Sequence, residues 1–113
     1  MGIKKISHLE SALIGRKGSL TSIKIIDELL VIPLNANQIS KKIKKNYNTV
    51  RHHTEILMEH NIIEKDKRNY GSLYMPTPYL RDHEKTYYKI KLLVESNSNS
   101  DEGKKNELNN KGT

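Results

Sequence analysis

The chain contains no cysteine, no tryptophan and no phenylalanine. Without thiols there is no disulfide scaffold, no cysteine-type zinc finger and no thiolate metal sensor, and a cytoplasmic location is expected. Without Trp or Phe, six tyrosines supply all the aromatic packing. Long apolar runs are also missing. Residues 29–34, LLVIPL, are broken by Pro33 and fall far short of the roughly 20 residues of a membrane span. The opening MGIKKISHLES has no apolar signal-peptide core. IGRKGS, residues 14–19, lacks the spacing of a phosphate-binding loop, and no Ser-His-Asp grouping stands out locally. His53 and His60 share a helix face, but two ligands without a carboxylate make no metal site. No enzyme activity, cofactor, metal, membrane or small-molecule substrate is expected.

What the chain has is positive charge. Its 113 residues carry a formal net charge of +7. Residues 96–113, SNSNSDEGKKNELNNKGT, are polar and balanced in charge, so the excess belongs to residues 1–95. The sign suits a polyanionic partner. The last segment offers almost no apolar surface to offset its ordering entropy and is expected to be a disordered tail.

Hydrophobic periodicity divides the rest. Ile6, Leu9 and Leu13 recur at helical spacing within residues 3–14, and Gly15 and Gly18 interrupt at RKGS. A second helix, capped by Ser19 or Thr21, is expected to run to about Val31 with Leu20, Ile23, Ile26, Leu29 and Leu30 on its apolar face. Pro33 ends it, and residues 32–34 suit a short strand. Asn35 to Gln38 reads as a capping box ahead of a helix that buries Ile39 and Ile43. Asn46 caps the next helix, Tyr47 to His60, whose inward positions are Val50, Thr54 and Leu57. Asn61 suits the left-handed conformation that closes a helix. Ile62 and Ile63 begin a strand, residues 65–71 are turn material, and residues 72–75 return. Leu80, His83, Tyr87, Ile90 and Val94 repeat at three and four in a last helix over 79–95. A seam this short must pack on its own domain or on a second copy.

Helix, tight turn, helix and basic hairpin in that order describe a winged helix-turn-helix. The fold class is mainly α with a small β-hairpin, flanked by N- and C-terminal helices. Residues 1–18 form an N-terminal helix and linker, 19–78 the winged domain, 79–95 a dimerisation helix and 96–113 the tail.

The run from Ile39 to Ile63 resembles the ArsR-like winged-helix transcriptional regulators, particularly small archaeal ones. Their usual pattern is Ile-Ala-x-x-Leu, a short turn, then Thr-Val-x-x-His-Leu-x-x-Leu-x-x-x-Gly-Leu-Val. Ile39 and Ile43 hold the first apolar pair; Thr49, Val50, His53 and Leu57 match directly, and Ile62 and Ile63 match the strand start. The resemblance covers about residues 19–76. Three positions depart from it. Lys44 stands where the family often has glycine, losing a tolerated positive φ. Thr54 replaces a buried leucine, and Asn61 replaces glycine. The resemblance implies DNA binding and a buried or half-buried, hydrogen-bonded His53.

In that frame Asn48, Thr49, Arg51, His52 and Glu55 lie on the outward, N-terminal surface of the helix that enters the major groove. Arg51 suits guanine, Asn48 adenine, and Thr49 a phosphate or a thymine methyl. Lys41, Lys42, Lys44, Lys45 and Tyr47 are expected at the backbone. Lys65, Lys67, Arg68 and Tyr70 form the wing, with Arg68 placed for a narrow minor groove. Leu80, His83, Tyr87, Ile90 and Val94, joined by Ile6, Leu9 and Leu13, are expected to hold a homodimer. Its two groove-reading helices would sit about 34 Å apart on a pseudo-palindrome. The expected function is a sequence-specific double-stranded DNA-binding transcriptional regulator. Rival readings are a protein-binding winged helix, a non-specific chromatin-type DNA binder, and a single-strand or RNA binder, for which Tyr47, Tyr70 and Tyr74 offer thin stacking.

Overall fold

The computed structural model describes residues 7–66, 68 and 72–97. Ile6, Lys67, Tyr70 and residues 98–113 of the expected tail lie outside the described residues. The elements are α1 (His8–Leu13), α2 (Ser19–Val31), α3 (Ala36–Ile43), α4 (Tyr47–Glu59), β1 (Ile63–Asp66), β2 (Leu73–Pro76) and α5 (Pro78–Asp82), followed by α6 (84–97). Among the described residues the sheet is one antiparallel hairpin, Ile63 opposite Pro76 and Lys65 opposite Tyr74. The strands therefore reach into residues 65 and 66, which the sequence assigns to the turn. The arrangement is a winged helix.

Local chemistry sets most of the boundaries. Ser7 and Glu10 form a reciprocal capping box on α1. On α3, the Gln38 N–H donates to Asn35 Oδ1 at 2.8 Å and the Asn35 N–H to Gln38 Oε1 at 2.9 Å, as the sequence predicts. The Thr49 N–H donates to Asn46 Oδ1 at 2.8 Å, capping α4. Asn61, at φ 58°, closes α4. Its N–H donates to Met58 O, and the Ile62 N–H donates to Leu57 O at 2.9 Å, which is the Schellman pattern. Thr77 joins the hairpin base to α5: its hydroxyl donates to Asn61 O at 2.8 Å while its oxygen accepts the Leu80 N–H at 3.2 Å.

Several expectations change. The cap of α2 is Gly18, at φ 81°, and makes no side-chain cap bond. Ser19 lies inside the helix instead, its hydroxyl donating back to Leu13 O at 2.6 Å and fixing the α1–α2 turn. Ile25 joins Ile23, Ile26 and Leu29 in the core while Leu20 is only half-buried, because α2 is covered on more than one side. Of residues 32–34 only Leu34 pairs, as an isolated bridge to Tyr74. Lys44 adopts the left-handed conformation at φ 57° despite its side chain. Thr54 is fully buried and satisfied, its hydroxyl donating to Arg51 O at 3.0 Å.

The largest change concerns the terminal helices. The expected 79–95 helix is broken at His83, with α6 running on to residue 97. Leu80, Tyr87 and Ile90 are buried in the same cluster as Leu9, Leu13, Ile23 and Leu57, and Val94 packs on its edge. His83 is outside the seam altogether; its ring stacks on Tyr79 at 4.3 Å. The spacing at three and four thus marks a face turned toward the chain's own core. Leu9, Leu13, Leu80, Tyr87 and Ile90 are not available to a second copy. No helix among the described residues is long and apolar enough to cross a membrane.

Candidate nucleic-acid interface

α4 is the centre of the candidate site because its inward face is fixed. Val50, Thr54 and Leu57 are buried, so the opposite side points outward by helical geometry. Asn48, His52, Glu55 and Glu59 are exposed there. Thr49 and Arg51, which the sequence places on the same outer surface, are half-buried. The structure brings Asn48, His52 and Glu55 together and sets Arg51 to one side.

Arg51 turns toward the hairpin. Its Nη1 donates to Tyr47 Oη at 3.3 Å, and its Nη2 lies 3.5 Å from Glu55 Oε1. Its Nε is buried without a hydrogen-bond partner among the described residues. The Tyr47 hydrogen bond, followed by the nearby Tyr74, holds the guanidinium above its ordinary pKa. Across from it, Lys65 Nζ sits 5.5 Å from the centre of the Tyr74 ring. Arg51, Tyr47, Lys65, Ser72, Tyr74 and Asn37 line an open cleft of about 310 Å³ between α3, α4 and the hairpin.

The other flank of α4 faces the start of α2. His53 Nδ1 and Ser22 Oγ are 3.0 Å apart, which gives His53 the hydrogen-bonded place implied by the family resemblance. Burial, then His52 and Lys45, push its pKa below the ordinary imidazole value. Gly18 lies so close that a Cβ there would sit 2.7 Å from His53 Cε1. A second cleft here, of about 200 Å³, is lined by Arg16, Lys17, Ser22, His52 and His53 among others. In the sequence Arg16 and Lys17 mark only a helix break. Their charge was visible, but their position beside α4 depends on how α2 packs against it.

Lys41, Lys42, Lys44 and Lys45 are all exposed around the α3–α4 turn. Ser40 braces that turn, its hydroxyl donating to Lys45 O at 2.7 Å. Tyr47 is 46% exposed at the start of α4. On the hairpin, Arg68 is tied to Asp66 Oδ1 through its N–H at 2.9 Å and its Nε at 3.3 Å. Its side chain remains 86% exposed. The surface therefore offers an outward helix face flanked by cations on the α2 side, the α3–α4 turn and the hairpin. No protein-family model matches the chain, and no curated protein is significantly similar to it.

Proposed function

We propose that the chain is a sequence-specific double-stranded DNA-binding transcriptional regulator of the ArsR-like kind, acting as a homodimer. The observation that carries this reading is the outward face of α4, bearing Asn48, His52 and Glu55, set between the α3–α4 lysines and the hairpin cations. An α-helix of this kind fits the major groove, and cations on both sides suit the two phosphate backbones that border it. Glu55 favours base reading over indiscriminate phosphate binding. A carboxylate facing the groove is repelled by phosphates and is useful where it accepts from a cytosine amine.

The second copy would be held by the outer surface of α6. Tyr88, Leu92 and Leu93 are 44%, 68% and 57% exposed, and a further α6 would cover apolar area that the buried seam leaves untouched. Duplex binding by the wild-type chain, compared between the DNA upstream of its own coding sequence and a scrambled duplex at about 50 and 200 mM salt, tests the reading. Steep salt dependence is expected on both, with tighter binding to the upstream duplex. Asn48→Ala should erase about 1–3 kcal/mol of that preference. Failure to bind any duplex at low salt would overturn DNA binding; equal binding that Asn48→Ala leaves unchanged would reduce the protein to a non-specific binder.

A further inference from the structure

The cleft between α3, α4 and the hairpin has the chemistry of an anion seat. Two cations converge on it from different elements, Arg51 from α4 and Lys65 from β1. Tyr47, Ser72, Tyr74 and Asn37 line it as well. Among the described residues no acidic side chain lines it. Glu64 alternates to the other face of the strand from Lys65, and Glu55 meets Arg51 through an exposed pair at 3.5 Å. A pair of that kind is weak and easily exchanged. The Arg51 hydrogen bond to Tyr47 is also long at 3.3 Å, and Nε has no hydrogen-bond partner among the described residues. The guanidinium is thus positioned but incompletely satisfied, while the Tyr74 ring beneath Lys65 holds the ammonium near the same opening.

We propose that this cleft seats one phosphodiester of the DNA backbone beside the groove that α4 enters. The inference rests on the DNA-binding reading and changes the role of one residue within it: Arg51 grips phosphate and leaves base reading to Asn48, His52 and Glu55. The guanidinium and ammonium supply charge-assisted hydrogen bonds, and the Tyr47 and Ser72 hydroxyls supply neutral ones. A contact of this type fixes the register of the helix in the groove and carries no sequence information.

The decisive comparison is Arg51→Ala, Lys65→Ala and the double variant against wild type on the preferred and scrambled duplexes, over a salt series. Each single variant should lose about tenfold or more, by the same factor on both duplexes. The log–log salt slope should become shallower by about one per cation removed. On a duplex series carrying single neutral methylphosphonates, one position should weaken the wild type and leave the double variant unaffected. Thermal melting confirms that each variant is folded. Loss confined to the preferred duplex would return Arg51 to base reading and overturn the phosphate seat. Unchanged affinity and slope would overturn it as well, while leaving DNA binding intact. Absence of any wild-type duplex binding would overturn both. Inorganic phosphate is the control for a free anion: Arg51 and Lys65 resonances that saturate with low-millimolar phosphate, alongside variants that bind duplex normally, would overturn the phosphodiester assignment in favour of a small-anion site.

Discussion

Tyr87 donates its phenolic proton to Asp27 Oδ1 at 2.6 Å, with Ile23 O at 3.2 Å, while Lys91 Nζ donates to Asp27 Oδ2 at 2.8 Å. One carboxylate thereby clamps α6 onto α2. Tyr87→Phe keeps the ring and loses the bond to a charged acceptor, so unfolding by urea near neutral pH should show a loss of about 1.5–3 kcal/mol. Burial, then Asp27, pushes the phenol well above its ordinary value of 10.0. The folded chain keeps the proton at a pH where the unfolded chain gives it up. Its contribution is full below about pH 10 and declines as pH rises beyond that point. Tyr87→Phe should remove that alkaline decline, and an unaltered slope would show that the phenol is not its source.

The outer face of α6 should respond differently. Leu92 is 68% exposed, so Leu92→Lys removes little burial within the monomer and should change stability by less than about 0.5 kcal/mol. If a second copy covers this face, the variant should sediment as a monomer where the wild type is a dimer. Tyr87→Asp and Ile90→Asp should instead abolish folding, since each puts a charge into the chain's own core. A wild type that is monomeric at all concentrations would remove the dimer from the proposal.

The contrast between Leu92 and Tyr87 shows where sequence reading reaches its limit. Spacing revealed which residues form the apolar face of the last helix, but one amphipathic pattern serves equally for packing inward or against another chain. The caps at Asn35 and Asn46 and the close at Asn61 were legible because each acts over three or four residues. The inward face of α4 was legible for the same reason. Arg51 was not: its angular position alone allows either the groove or the hairpin, and its place is set by Tyr47 and the hairpin residues that close the cleft. The Gly18–His53 contact, which joins residues far apart in the chain, left no local signal either.

Lys44 makes a separate test of local strain. It holds φ 57° and ψ 47° at the end of α3, a conformation that costs an ordinary residue roughly 1–2 kcal/mol. Glycine removes that cost but loses about 0.4–1 kcal/mol through its freer unfolded chain. Lys44→Gly should therefore stabilise the fold by about 0.5–1 kcal/mol in chemical denaturation. The same change removes an exposed cation beside α4, so duplex affinity should fall on all sequences alike. A destabilised variant would mean that the Lys44 side chain contributes contacts that outweigh its backbone strain.

Gly18 and His53 bring stability and pH together. At φ 81°, and with a Cβ position 2.7 Å from His53 Cε1, Gly18→Ala is strained by conformation and by collision. It should cost more than about 1 kcal/mol, and His53→Ala in the same chain should relieve only the collision. His53 itself is held below the ordinary imidazole value of 6.5 by burial first, then by His52 and Lys45. The unfolded chain binds the proton before the folded chain does. The resulting stability is complete above about pH 6.5 and is lost as pH falls through the lower folded value. Denaturation midpoints should accordingly decline on acidification below that point in the wild type. His53→Gln retains a hydrogen-bonding group toward Ser22 without an ionisable ring, and its midpoints should decline less over the same range. Parallel curves for the two proteins would place the acid sensitivity in another group and leave His53 with a packing role alone.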